Sequence, residues 1–385
     1  MSTKVTKIFI RGFKSIGEAD LSLDDCTLLI GPNGAGKSNL LQAFRFLSLI
    51  ASQSLRVSTQ RFGGAAALMF RGPKITAEIE FRIEFHTESE TDTGEQQTTE
   101  SQYHCRLGRT GDDGLVFLEE AAASRGNDRQ SFDDRRVRLG EGHRESALPA
   151  STDAVARNTL ACLMRIGFFH FHDTSVDSPL RTPSKSREDD SLRSSGSNLA
   201  AYIRALSESE QPVEQAAWRR IFGLVRQVAP YIKAFHPQAT NGHTRLDWVD
   251  EWDDVYGADQ LSDGTLRAIA LLVALGQPTS RIPTFVAIDE PELGLHPAAL
   301  EVLMGLVRSL KGRCQVMLST QSTALLDYFE PSEVIVAEWP SIAPSAKLRH
   351  PGTEFRRLDP IALGDWLAEY ALSALFERNV LGGRP

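Results

Sequence analysis

The chain has 385 residues, 41% of them hydrophobic and 24% charged, with a formal net charge of −8. That length supports a large core and an additional sub-domain, and the acid excess excludes a protein that coats nucleic acid over its whole surface, while leaving a local basic patch open. Four scattered cysteines (Cys26, Cys105, Cys162, Cys314) with no C-x-x-C pair read as reduced, buried thiols rather than a disulfide framework. The N-terminal segment lacks the apolar core of a secretory signal. The longest apolar run, residues 268–275, falls far short of the roughly 20 residues that span a bilayer. A cytoplasmic location with no membrane partner is expected.

Residues 8–10 and 26–30 predict strands on either side of the turn-rich RGFKSIGEAD. The second strand runs into GPNGAGKS (31–38), which fills the phosphate-loop pattern G-x-x-x-x-G-K-[ST] at every fixed position. Leu40, Leu41, Phe44 and Leu47 then recur at helical spacing across 39–50. From 75 to 85 the alternation is strict, with Ile75, Ala77, Ile79, Phe81, Ile83 and Phe85 on one face, so a half-buried antiparallel strand is expected. Further strands are expected at 103–107 and 115–119, with a hairpin tip across 87–101. Residues 124–151 and 175–197, charged or rich in Ser, Pro, Arg and Asp, read as exposed loops. Helices are expected at 153–165, 198–207 and 213–228.

Strand and helix alternate again toward the C-terminus: a helix at 265–275, a buried strand at 284–288 and a helix at 297–310. A strand at 316–319, a helix to 329, a strand at 334–337 and a helix after Pro360 follow. The pattern is an α/β fold assembled from both chain ends, 1–104 and 256–385, with 105–255 as an inserted α+β lobe. No fixed-period repeat and no long heptad run interrupts it.

Three stretches carry chemistry. In the phosphate loop, Asn33, Gly34, Ala35, Gly36, Lys37, Ser38 and Asn39 form a turn whose backbone N–H groups and following helix suit phosphate oxygens. Lys37 suits the β- and γ-phosphates of ATP, and the Ser38 hydroxyl suits Mg²⁺. Asp289 and Glu290 end the apolar run FVAIDE; Asp289 suits the metal and Glu290 the attacking water, with strand-end capping as the rival reading. LSDGTLR (261–267) opens a helix aimed at an anion, yet the sequence holds no second phosphate loop for it. Ser262 and Gly264 therefore suit the γ-phosphate bound by another copy, with a plain helix cap as the rival. Phe169 to Asp173, FHFHD, would put His170 and His172 on one strand face, a spacing open to metal binding or to ordinary polar surface. Arg135, Arg136 and Arg138 could touch phosphates, but the neighbouring Asp133, Asp134 and Glu141 favour a solvated loop.

With these motifs, the chain resembles the ABC-type ATPases of the RecF, SMC and OLD group, and within it the stand-alone bacterial AAA family ATPases. The resemblance runs through RGFKSI, GPNGAGKS, FHFHDTS, GSNLAAYI, LSDGTLR, VAIDEPELGLHP, LSTQS and LGGRP, and so covers most of the chain. It implies an ABC-type P-loop NTPase head with mixed sheets. It also implies that residues 13–15, Lys14 among them, lie near the adenine, that 261–265 form the signature loop, and that 293–297 contact the partner subunit. Two departures stand out. Gln321, in LSTQS, occupies the switch position where such ATPases usually carry histidine, and Gln cannot become cationic; slow hydrolysis is expected, with Gln321 and Glu290 as the catalytic pair. No clear Q-loop glutamine is present, Gln53 and Gln60 being candidates by location only. The acidic nuclease domain of OLD proteins is not present in this sequence, so any cleavage would fall to a separate protein.

Two classes of function follow. One is an ATP-gated homodimer, or a higher oligomer, that senses or regulates a separate effector such as a nuclease or toxin, as in phage-defence systems. The other is a RecF/SMC-like DNA-repair ATPase that binds duplex across the dimer, which a salt-steep DNA affinity would mark. The negative charge, the absence of a coiled coil and the inserted lobe favour the first.

Overall fold

A run of five apolar or β-favouring residues leading into a glycine-rich turn is what a strand buried on both faces requires, and Cys26–Ile30 is buried along its whole length. In the computed structural model, which describes residues 2–90, 96–126, 131–339, 352–364 and 366–383, this strand lies inside a six-stranded sheet. The order is Glu354–Arg357, Val334–Glu338, Cys26–Ile30, Gln315–Thr320, Phe285–Asp289 and Ile166–Phe169. Gln315–Thr320 and Val334–Glu338 both run parallel to Cys26–Ile30, and Glu354–Arg357 is an antiparallel edge. The chain divides into two compact units. One comprises residues 1–167, 284–287 and 314–385; the other comprises 168–283 and 288–313.

The first unit also holds a second, wholly antiparallel six-stranded sheet, ordered Ile16–Ser22, Ser2–Phe13, Glu78–Glu90, Gln96–Arg109, Leu115–Gly126 and Arg136–Gly140. The period-2 alternation places Ile79, Phe81, Ile83 and Phe85 in the core. It begins later than the sequence pattern: the strand starts at Glu78, and Ile75 is 48% exposed because a turn precedes it. RGFKSIGEAD is no plain turn either. It forms the ends of two paired strands around a tight reversal at Lys14, whose φ is 51. The ladder continues to Glu90 opposite Gln96, so the expected hairpin tip narrows to 91–95, outside the described residues. Arg136–Gly140 is an edge strand, not a loop, with Arg136 paired to Glu119 at 2.5 Å. Lys37–Ala51 turns Leu40, Leu41, Phe44 and Leu47 inward, and Phe44 stacks on Phe285 at 4.5 Å.

The second unit is led by three helices. Leu199–Glu208, Pro212–Val228 and Asp263–Gly276 carry the apolar spacings expected of them. Close packing is visible at Gly276, where an added Cβ would come within 2.4 Å of Ile221. Residues 175–197 are better ordered than their composition implies: Ser178, Leu180 and Leu192 are buried, and Asn198 ties the segment back through Glu188 and Ser191. The expected helix before 329 is a 3-10 turn, Thr323–Tyr328, and the segment after Pro360 breaks into short helices. Among the described residues, no helix is long and apolar enough to cross a membrane.

Candidate nucleotide site

The loop between Cys26–Ile30 and Lys37–Ala51 is built by glycines whose conformations no other residue adopts cheaply. Gly34 and Gly36 have φ of 77 and 95, in the left-handed region. Gly36 has a second constraint, since a Cβ there would sit 2.1 Å from Thr353 Oγ1 and 2.6 Å from Ser15 Oγ. Gly31 lies so close to the next strand that a Cβ would meet the Ala337 carbonyl oxygen at 2.1 Å. Lys37 is 6% exposed, and its ammonium donates to the carbonyls of Gly31 at 2.7 Å and Pro32 at 2.9 Å. The cation is thus curled onto two carbonyls of its own loop. The helix starts at Gly36 with no side-chain cap, while Ser38, in the first turn, is exposed. A positive helix pole beside a loop-bound ammonium is an anion-binding arrangement.

The loop is buttressed from outside the motif. Asn39 Nδ2 donates to Ser15 Oγ at 2.8 Å, and Ser15 and Thr353 hydroxyls lie 2.8 Å apart. Trp339 Nε1 donates to the Gly34 carbonyl at 3.0 Å, leaving Asn33 and Gly34 exposed and Ala35 buried. Lys14 points elsewhere: its ammonium bonds Gln42 and lies 4.8 Å from the centre of the Phe62 ring, and burial lowers its pKa. Phe13, expected near an adenine, is instead fully buried between Phe46 and Phe81. Gln321 is exposed at the end of Gln315–Thr320. Gln53 donates to the Ser146 carbonyl, and Gln60 is exposed on a short helix.

In the second unit, Asp289 and Glu290 are half-buried. Glu290 has φ 44, a left-handed backbone costing an ordinary residue about 1–3 kcal/mol. A carbonyl only accepts, so the 2.9 Å contact from His172 Nε2 to the Asp289 carbonyl makes Nε2 the donor and fixes the tautomer of neutral His172. His170 stacks on His172 at 4.1 Å. Both histidines lie just past the strand Ile166–Phe169, not within it. Among the described residues, no group of three or more His, Cys, Asp or Glu is placed to hold a metal.

Ser262 caps the helix Asp263–Gly276, accepting from Thr265 N at 3.2 Å and donating to Thr265 Oγ1 at 2.8 Å. Gly264 packs face to face with the loop that follows Glu290: a Cβ would come within 2.2 Å of the Gly294 carbonyl oxygen. Arg267, one turn on, is 5% exposed and donates to the Leu293 carbonyl at 2.6 Å. Burial lowers its pKa, and the charges of Glu290 and Glu292 oppose that shift. The helix Asp263–Gly276 and the loop after Glu290 are thereby one packed corner. Arg181 holds the approach to it, donating to the carbonyls of Thr174, Ala258 and Leu261 and to Asp263.

Sequence reasoning did not assign Arg267, Arg181 or Thr353, and it offered His172 as a metal-spaced or polar-face residue rather than as the partner of the Asp289 carbonyl. Arg267 closes the LSDGTLR stretch, but nothing local says that its side chain turns inward. Arg181 lay in a stretch read as loop on composition alone.

The family model described as "AAA domain, putative AbiEii toxin, Type IV TA system" matches residues 26–159 and 167–327. No curated protein matches the chain. Among solved structures, an Smc head bound to the C-terminal winged-helix domain of ScpA is similar at TM-score 0.57 and 15% identity, over 93% of this chain and 99% of that one. An Smc head with an extended coiled coil, bound to the C-terminal domain of ScpA from Pyrococcus furiosus, gives TM-score 0.56 and 14% identity, over 95% and 99%. At such identities the likeness shows the fold, an ABC-type P-loop ATPase head.

Proposed function

The chain belongs to this AAA-domain ATPase family, and from that premise we propose that it is an ATP-gated dimer that hydrolyses ATP slowly and controls a separate effector protein. The observation that carries the reading is Lys37: a nearly buried ammonium, curled onto carbonyls of a glycine-built loop at an uncapped helix start. Such a cation gains far more from β- and γ-phosphate oxygens than from neutral carbonyls.

In this proposal Lys37 leaves the Gly31 and Pro32 carbonyls for the phosphates, and Asn33, Gly34, Ala35, Gly36 and Asn39 shape the cradle. Ser38 and Asp289 offer a hydroxyl and a carboxylate, the hard oxygen donors that suit Mg²⁺; when bound, the ion would neutralise charge on the phosphates. Glu290 orients the attacking water and accepts its proton. Gln321 donates a hydrogen bond to the γ-phosphate, and because it stays neutral the site stabilises developing charge less than a cationic switch would. Ser262 and Gly264 serve the γ-phosphate of the other copy, so each site needs two chains. The effector reading is supported by the toxin–antitoxin description of the family, and both similar Smc heads are bound to a ScpA domain. The protein is proposed to act in the cytoplasm.

Complementation tests the shared site. Lys37→Ala removes the phosphate-loop cation, and Ser262→Arg blocks the exposed signature position without altering the packed Gly264. Neither homodimer should hydrolyse ATP. Co-expressed heterodimers contain one complete site and should regain activity. Heterodimers that form, confirmed by size and tagged pull-down, yet stay inactive would return Ser262 to the role of a plain helix cap.

A further inference from the structure

The antiparallel sheet of the first unit changes character along its length. Ile79, Phe81, Ile83 and Phe85 face the core, but the next positions in the same register are hydroxyls. Thr87 lies opposite both Thr3 and Thr99, and Ser101 lies opposite Phe85 on one side and Ser124 on the other. Beneath the helix Ala154–Met164, these side chains line a cavity of ≈ 430 Å³, within the size range of small-molecule sites. Ser101 and Ser124 are 3% and 7% exposed, and their hydroxyls bond to no other described residue.

Arg135 and Arg165 line the same cavity, Asn158 adds an amide, and among the described residues no Asp or Glu does so. In a chain with a net charge of −8, the charged groups among the described lining residues are thus both cations. Burial pushes the Cys162 thiol up to about 11, so this lining residue stays neutral and adds no negative charge beside the arginines.

We propose that this cavity is a second ligand site, distinct from the phosphate loop, and that it takes a small hydroxylated phosphate monoester such as a sugar phosphate. A phosphate monoester brings close to two negative charges and three acceptor oxygens, which the arginine forks and the Asn158 amide can serve together. Hydroxyls on the body of the ligand exchange hydrogen bonds with Ser101, Ser124 and Thr99, since each hydroxyl donates one and accepts others. The apolar side of the ligand rests on Val155 and Ala161. Occupancy would also join the helix Ala154–Met164 to the sheet, coupling the level of a metabolite to the head.

The test is titration calorimetry of the full chain with glucose 6-phosphate, in saturating Mg²⁺–ATP so that the phosphate loop is already filled. Binding should persist with ATP present and weaken about tenfold in Arg135→Gln or Arg165→Gln. It should be lost in Ser124→Leu, which fills the cavity with an apolar side chain, while glucose itself should not bind. Three outcomes would overturn the proposal: no heat up to on the order of 10 mM ligand, displacement of glucose 6-phosphate by ATP, or unchanged affinity in Ser124→Leu. Gluconate binding as tightly as glucose 6-phosphate would overturn the phosphate assignment. Melting curves of each variant separate a lost site from a lost fold.

Discussion

The phosphate loop and the corner where Gly264 meets Gly294 are both built around glycine, but for opposite reasons. At Gly34 the constraint is local: φ is 77, and nothing lies within 4 Å of where a Cβ would stand. At Gly264 the backbone is an ordinary helical one, and the constraint is the Gly294 carbonyl 2.2 Å from where a Cβ would be. The first glycine shapes a turn; the second lets two segments, far apart in sequence, touch. A chain stores the first kind of information in a short motif and the second only in its packing.

The largest effect expected is at Glu290. Glu290→Gln should keep ATP binding but lose on the order of 10²–10⁴ in turnover, trapping the closed dimer. Single-turnover hydrolysis and gel filtration in ATP check it, and near-normal turnover would move the role to Gln321 or Asp289. Lys37→Ala should do the reverse, abolishing ATP binding measured by calorimetry while the melting temperature holds.

Gly264→Ala sharpens the contrast between the two glycines. The clash is with backbone and cannot be relieved by a rotamer, so the loop after Glu290 must move. A misplacement of about 1 Å near a reacting group can cost roughly 10²-fold in rate. Gly264→Ala should therefore hydrolyse slowly even when paired with Lys37→Ala, whereas Ser262→Arg is rescued by the same partner. Equal rescue of both would show that the Gly264–Gly294 contact does not govern the acid. Gly34→Ala meets no neighbour and should cost only the roughly 1–2 kcal/mol of a left-handed alanine, read as a modest fall in melting temperature.

Arg267→Gln should have a smaller effect, about tenfold in kcat with KM for ATP little changed, because in the proposed site Arg267 acts by holding the 290–296 loop through the Leu293 carbonyl. A changed KM with unchanged kcat would assign it to binding instead. Smallest is the stability change in Glu290→Gly. Relief of the φ 44 backbone should stabilise the folded chain by up to about 1–3 kcal/mol even as hydrolysis disappears. A lower melting temperature would mean that the Glu290 carboxylate contributes more to folding than its backbone costs.

The sequence by itself determined what is contiguous or periodic. GPNGAGKS between a buried strand and an apolar helix, FVAIDE, and the alternation that buries Ile79, Phe81, Ile83 and Phe85 each need only neighbouring residues, because backbone geometry repeats every two or 3.6 positions. Tertiary structure decided which side chains meet across long separations. Phe13 went to the core because the strand register put it against Phe46 and Phe81. Arg181, in a stretch whose composition reads as loop, became a half-buried clamp because the fold brought the carbonyls of Ala258 and Leu261 within its reach. Arg135 faced a hydroxyl-lined cavity although its neighbours are acidic. None of these could be read from a local window, since a buried polar group is placed by the partner that satisfies it, and that partner is chosen by the fold.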